Sequence, residues 1–294
     1  MNRKGIFTGL LICLLAMAFP LSGCASLIVS PSSNPSEEET IILTDDLDRE
    51  VELERPKRVA VLIGSFADAL SDAGGKDLIV AAAHDTWTSF DLDLDESVSD
   101  LGEVKNISVE TLASLDMPVV YYDVSSFDDY CRILEQFTQI TEDQNAYKKN
   151  VEDQSRIIGE IQKRYVDAID NPSAIAVRLT GKGSSLLGAN DSVMGEMLED
   201  LNVSNLAGEK TQKEYSMESL IQEQPDFIFF TAQGKDNETA QQMADEFFSE
   251  PKWQQLNAVK DEKVYVMDSK FYNLKPNAQW ASALAHLETI VYGK

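Results

Sequence analysis

Positive charge is scarce in this chain. Twenty-five lysines and arginines face 50 aspartates and glutamates, a formal net charge of −25 over 294 residues. That excludes a nucleic-acid partner, because phosphate contacts need clustered cations. It also suits a chain exposed to solvent and repels anionic surfaces. Histidine is scarcer still, at two. Direct capture of zinc or manganese draws several His and carboxylate ligands into one site, and His84-Asp85 supplies too few, so no bound metal is expected. Asp91, Asp93 and Asp95 mimic the start of a calcium loop, but Glu96 stands where Gly is needed and Gly102 where Glu is needed. Cysteines stand only at 13, 24 and 131, which leaves no disulfide framework. Cys131 has no nearby histidine and reads as a packed thiol. GKGSS (181–185) lacks phosphate-loop spacing, and no G-x-S-x-G elbow occurs. Neither a catalytic residue nor a cofactor is expected, and the alternative of an anchored enzyme lacks its cluster of reactive groups.

The longest apolar run lies at the start. Arg3 and Lys4 precede it, it spans Gly5 to Pro20, and Leu21-Ser22-Gly23-Cys24 follows. A positive n-region, a short apolar core and small residues before a cleavage point make a secretory signal over 1–23. The run is short for a membrane span of ~20 residues. LSGC resembles a bacterial lipobox, which implies cleavage before Cys24 and lipid on its thiol and amine. An ordinary signal with an incidental cysteine is the rival reading. Residues 24–40 are rich in Ser, Pro and Glu without periodicity and read as a tether. The expected location is the outer face of a bacterial cell membrane, held there by lipid.

Beyond the tether, short β-rich runs alternate with helical ones, which implies parallel α/β sheets. Residues 41–53 read as a β-hairpin. Strands are expected at 59–63, 77–83 and 118–124, with helices at 66–75, 109–115 and 127–140. A long acidic loop covers 84–106. Thr141 to Ile169 reads as one helix, capped by Thr141 with Gln144 three residues on and stopped by Asn171-Pro172. Tyr147, Val151, Ile158, Ile161, Tyr165 and Ile169 form its apolar stripe. At ~1.5 Å per residue it would be roughly 40 Å long, a rod between two halves (41–140 and 171–294) or a peripheral helix of one domain. After it, strands are expected at 173–180, 226–232 and 263–268, a glycine-rich loop at 181–191, and a last helix from Trp280. Ligands in such sheets lie outside the carboxyl ends of strands. That marks Ser65, His84 to Trp87, Tyr121 to Val124 and the loops 180–191, 232–237 and 269–277.

Five segments, in this order and spacing, resemble a known family: TDDLDREVELERPKRVAVL, DLGEVKNISVETLASL, YYDVSSFDDY, SMESLIQEQPDFIFF and FYNLKPNAQW. The family comprises the substrate-binding lipoproteins of iron–siderophore, heme and cobalamin ABC importers. The resemblance implies two Rossmann-like α/β lobes joined by one long backbone helix over 141–170. It also implies a metal chelate in the cleft, and delivery by a monomer to an ABC permease and its ATPase. Two departures stand out. Asp48 occupies a position where the family usually has Gly, and Asp tolerates a left-handed turn. Only Asp116-Met117-Pro118 separate Leu115 from the next expected strand, so the first lobe looks one strand–helix unit short. A surface sensor or interaction lipoprotein that does not transport is therefore the alternative function.

A compact, anionic or polyoxygenated chelate needs aromatic faces and cationic donors. Trp87 and Tyr122 in the first half, and Arg178, Tyr272 and Lys275 in the second, fit that need; Lys182 reads as a solvated lysine. The resemblance further implies one acidic residue per lobe that meets arginines of the permease. By position these are Asp68 and Glu199, with Glu196 as a substitute.

Overall fold

The structure is a computed structural model that describes residues 40–169, 171–233 and 236–293, all within one compact unit. The expected signal, Cys24 and most of the tether lie outside the described residues. Strands β1 (Thr40–Thr44) and β2 (Glu50–Glu54) form an antiparallel hairpin. Its turn is built by Asp45, whose buried carboxylate accepts from the Leu47 and Arg49 backbone N–H groups and from the Arg49 guanidinium. Asp48 takes a left-handed φ of 57°, a conformation that Asp adopts more readily than most residues.

A three-stranded parallel sheet follows, β3 (Val59–Val61), β4 (Ile79–Ala82) and β5 (Ser99–Asp100), in the order β3-β4-β5. Between them lie α1 (Gly64–Asp72) and α2 (Asp85–Thr88), and after them α3 (Val109–Ser114), which buries no residue. The strand expected at 118–124 does not form. Its backbone turns instead to the hairpin: the Asp46 N–H donates to the Tyr121 carbonyl at 2.9 Å and the Asp123 N–H to the Asp46 carboxylate at 2.6 Å. The third place in the sheet goes to β5, two polar residues from the acidic loop.

Helix α4 (Phe127–Thr141) starts at a capping box made by Ser126 and Asp129. Thr141 ends this helix and does not cap the next. Its hydroxyl donates to the Ala73 carbonyl at 2.6 Å, and Glu142 breaks the chain direction at φ 58°. Asp143 caps instead, accepting from Asn145 and Ala146 N–H. The helical run then passes through α5 (Gln144–Tyr147), a π-helical turn (Lys148–Glu152) and α6 (Asp153–Gln162). From 144 to 162 it spans about 28 Å at ~1.5 Å per residue, not the expected 40 Å. Val151, Ile158, Ile161 and Tyr165 of the stripe are buried, whereas Ile169 lies past the helix and is exposed.

The second sheet runs β10-β9-β6-β7, with β8 also on β6. Its strands are β6 (Ser173–Thr180), β7 (Gly183–Leu186), β8 (Ser204–Asn205), β9 (Phe227–Ala232) and β10 (Val264–Val266). All pairs are parallel except β6–β7. The glycine-rich stretch is thus partly a hairpin, turned at Gly181-Lys182, and not one open loop. Helices α7 (Val193–Asp200), α8 (Met217–Glu223), α9 (Asn237–Phe248), α10 (Asn257–Lys260), α11 (Ser269–Tyr272) and α12 (Trp280–Tyr292) surround the sheet. Strand alternation divides the core. Ile175, Val177, Ile228 and Phe230 face Trp253 and α9. Ala174, Ala176, Phe227 and Phe229 face α7 and α12, in a cluster that continues through α6 into α1 and α4. Phe127 of α4 meets Trp280 of α12 with ring centroids 5.5 Å apart.

Candidate functional site

The loops that leave the two sheets meet along a seam. In the first half, β3 leads into Gly64 and β4 into His84. The Gly64 N–H donates to the Asp85 carboxylate at 2.9 Å. A Cβ on Gly64 would lie 2.6 Å from the Phe90 ring and 2.9 Å from the Asp85–Thr86 backbone, so only glycine allows this approach. His84 Nδ1 lies 2.7 Å from Asp100 Oδ2, and that carboxylate raises the imidazole pKa. The hydroxyls of Ser65 and Thr86 are buried with no partner among the described residues.

In the second half, Arg178 stands near the carboxyl end of β6, opposite Thr231 on β9 and Ser185 on β7. Cross-strand partners share one face, so the three side chains lie side by side. Arg178 Nε and Thr231 Oγ1 are buried and have no hydrogen-bond partner among the described residues, as do both amide atoms of Asn273 just past α11. Burial lowers the Arg178 pKa, against the opposing pull of Asp191. A buried donor without an acceptor costs ~1–3 kcal/mol, and such atoms collected at strand ends suit a ligand that supplies the missing bonds.

Two lysines cross the seam. Lys270 on α11 donates from Nζ to the Phe90 carbonyl at 3.3 Å and sits 5.6 Å from the Phe90 ring centroid. Lys275 donates to the Val124 carbonyl and lies 3.8 Å from Asp123. A third crossing is the Phe127 N–H donating to Glu196 Oε1 at 3.1 Å. Burial pushes the Glu196 carboxyl up to about 7. The start of α4 thus docks on α7.

The residues expected at the site are not all gathered here. Trp87 is half-buried on α2, three residues before Phe90. Arg178 and Lys275 stand as described. Tyr122 turns inward: its ring meets Phe66 and Phe137 edge-on and its hydroxyl donates to Gln136 at 3.0 Å. Tyr272 is buried and donates to the Ala283 carbonyl at 2.9 Å, so it faces α12 and not the seam. Lys182 is exposed at the β6–β7 turn. Of the acidic pair, Glu199 is exposed on α7, while Asp68 is half-buried, its pKa raised by burial and lowered by nearby Lys270. Phe90 and Thr231 escaped the reading of the sequence, whereas Lys270 and Asn273 lie in its rim loop 269–277 without being singled out. Lys270 carried a signal, a cation beside Phe271-Tyr272 in a rim loop. Thr231 carried none, because its place opposite Arg178 depends on register.

Burial raises the Cys131 thiol to about 11, as a packed thiol requires. Among the described residues, no group of three or more His, Cys, Asp or Glu could hold a metal ion. No described helix is long and apolar enough to cross a membrane.

No curated protein sequence matches the chain. The family profile described as "Periplasmic binding protein" matches residues 113–271, more than half of it. Several solved structures share the fold. S. aureus IsdE complexed with heme aligns at a TM-score of 0.66 and 16% identity, over 80% of this chain and 98% of that one. Helicobacter pylori CeuE with Ni(II) bound gives 0.66 and 14%, over 86% and 89%. A periplasmic solute binding protein from Veillonella parvula gives 0.68 and 15%, over 87% of each. At such identities the likeness speaks for the fold alone.

Proposed function

This chain belongs to the periplasmic binding protein family, whose members bind and do not catalyse, and from that premise we propose that it captures a metal chelate and delivers it to an ABC permease. The chelate is an iron siderophore, heme or a corrinoid, held between an N-terminal lobe (41–140) and a C-terminal lobe (171–294). The helical run within 141–170 is the strut between them. One observation carries the reading: the buried, unpartnered Arg178 Nε at the strand ends, with Lys270 and Lys275 across the seam. Arg178 and Lys270 form no ion pair among the described residues, and such cations suit a bulky anion. Heme and Ni(II) in two of the three named structures agree with a metal-bearing guest.

Capture on this reading replaces lysine–carbonyl bonds by lysine–ligand bonds. Trp87 supplies an aromatic face beside the seam. Tyr122 and Tyr272, turned inward, act as supports for the rim and not as contacts. Glu199, exposed, and Asp68, half-covered, are the permease-docking carboxylates; such ion pairs orient docking more than they tighten it. Lipid on Cys24 and the tether to residue 40 hold the protein at the outer face of the cell membrane. A monomer suffices for this task.

The test is tryptophan fluorescence during titration with a ferric siderophore, heme and cobalamin. Trp253 and Trp280 are fully buried and Trp87 is partly exposed, so Trp87→Phe should weaken binding, read from the quenching of the two tryptophans that remain. Absence of binding to all three at micromolar concentration would overturn the proposal. The second reading, a sensor that binds but does not transport, is favoured by the small first sheet and by α3, which buries nothing. A protein that binds a chelate yet fails to stimulate ATP hydrolysis by its permease would select it.

A further inference from the structure

A cavity of about 530 Å³ lies in the second half, beside β10. Small-molecule sites run from ~300 to ~1,000 Å³, so it is large enough for one ring system. We infer that it is a separate binding site for a small uncharged heteroaromatic molecule with an N–H donor edge.

Its place separates it from the seam. Every lining residue comes from 237–286. Helix α11 is the wall between: Lys270 reaches away to Phe90, while Phe271 and Tyr272 line the cavity. Among the described residues β10 pairs only with β9, so the cavity opens along the outer edge of the sheet.

The walls set the class of occupant. Val266, Met267, Phe271 and Ala283 supply an apolar surface. Asn237, Gln241, Gln279 and Ser282 supply neutral polar groups around it. Among the described residues no lysine or arginine lines it. None of the lining residues named could pair with an anion. The one carboxylate, Asp268, already accepts from Asn237 Nδ2 at 3.1 Å and the Lys270 N–H at 2.8 Å, so each of its oxygens has a partner within the protein.

His286 gives the direction of the hydrogen bond. The Tyr272 hydroxyl spends its single proton on the Ala283 carbonyl at 2.9 Å. It also lies 3.0 Å from His286 Nδ1, so Nδ1 must be the donor of that pair. In a neutral imidazole the other nitrogen, Nε2, is then an acceptor. The cavity thus offers an aromatic face from Phe271, amides, and an imidazole acceptor. A neutral ring with an N–H edge satisfies all three.

The chain has two histidines, so imidazole NMR of the full chain reads both regions at once. His84→Gln assigns the signals. Adenine is the probe and benzoate the anionic control. Adenine at up to about 5 mM, a weak-binding range, should shift the His286 signals saturably and leave His84 still. Phe271→Ala and the surface change Gln241→Ala should each weaken that shift by about fivefold or more. Using both keeps the test valid if the core substitution unfolds the chain. An unmoved His286, or an equal shift with benzoate, would overturn the inference. So would a ferric chelate that moves His286 as strongly as His84, because the cavity would then be part of the seam.

Discussion

At the scale of single residues, Arg178 is the side chain that stability alone does not explain. Its Nε is buried without an acceptor and desolvation weakens its hold on the proton. Replacing a buried, poorly paired charge by an apolar side chain of similar size is often neutral or stabilising. Arg178→Met should therefore leave the thermal midpoint unchanged or higher while weakening an anionic chelate on the order of tenfold or more, the loss of a charge-assisted bond. Calorimetric melting and a fluorescence titration of the same sample check both halves; a lower midpoint with unchanged affinity would make Arg178 a structural residue. Glu196 provides a pH signature. Burial raises its pKa to about 7 in the folded chain, against ~4.3 for an unperturbed Glu. The folded state then binds more protons than the unfolded state between these values, so this group's contribution is complete below the lower value and is lost as pH rises through 7. Glu196→Gln keeps an oxygen for the Phe127 N–H and removes the titration. The variant should gain melting temperature over the parent at pH 8 and not at pH 5. Asp72, also raised to about 7 by burial and by Asp68, would persist in both proteins and so cancels from the comparison.

At the scale of elements, the π-helical turn is where the helical run from 144 to 162 adapts to its neighbours. It carries Asn150 and Val151 into the core together. Asn150 Nδ2 donates to the Asp72 carbonyl at 2.8 Å, tying the run to the end of α1. Asn150→Ala leaves that carbonyl without its donor and should cost about 1–3 kcal/mol, read as a lower urea midpoint at an unchanged slope. How far such elements were legible follows from what each depends on. The apolar runs of β6 and β9 and the start of α12 at Trp280 are local facts, and each shows in the residues that make it. The strand expected at 118–124 has the right composition but lost its sheet edge, because the Asp45–Asp46 turn offers its backbone better partners than β4 does. Strand β5 has no β-forming composition and exists only because β4 needs a neighbour. Thr141 fits a cap on paper, yet Ala73 claims its hydroxyl. At the site, charge at a strand end marked Arg178, whereas Thr231 and the inward turn of Tyr122 and Tyr272 required register and packing that no local pattern encodes.

At the scale of the whole molecule, the seam holds itself shut by bonds a ligand could use. Lys270 and Lys275 donate to main-chain carbonyls of the first half, and neither bond requires a guest. A protein whose binding-competent form is open loses apparent affinity in proportion to the closed fraction. The two lysines therefore pull in opposite directions, as a latch before binding and as donors after it. A double substitution, Lys270→Met with Lys275→Met, removes both roles and separates them by the charge of the probe. Without ligand, the variant should show a larger radius of gyration in small-angle scattering than the parent. A neutral corrinoid should then bind at least as tightly as before, because nothing is lost but the latch. An anionic ferric siderophore should bind more weakly, because its counter-charges are gone. High salt should loosen the parent only slightly, since these contacts are half-buried and screened less than surface pairs. If the radius stays the same and both probes weaken equally, the lysines are plain contacts, and closure must rest on the Phe127–Trp280 contact and the Glu196 bond at the base of the seam.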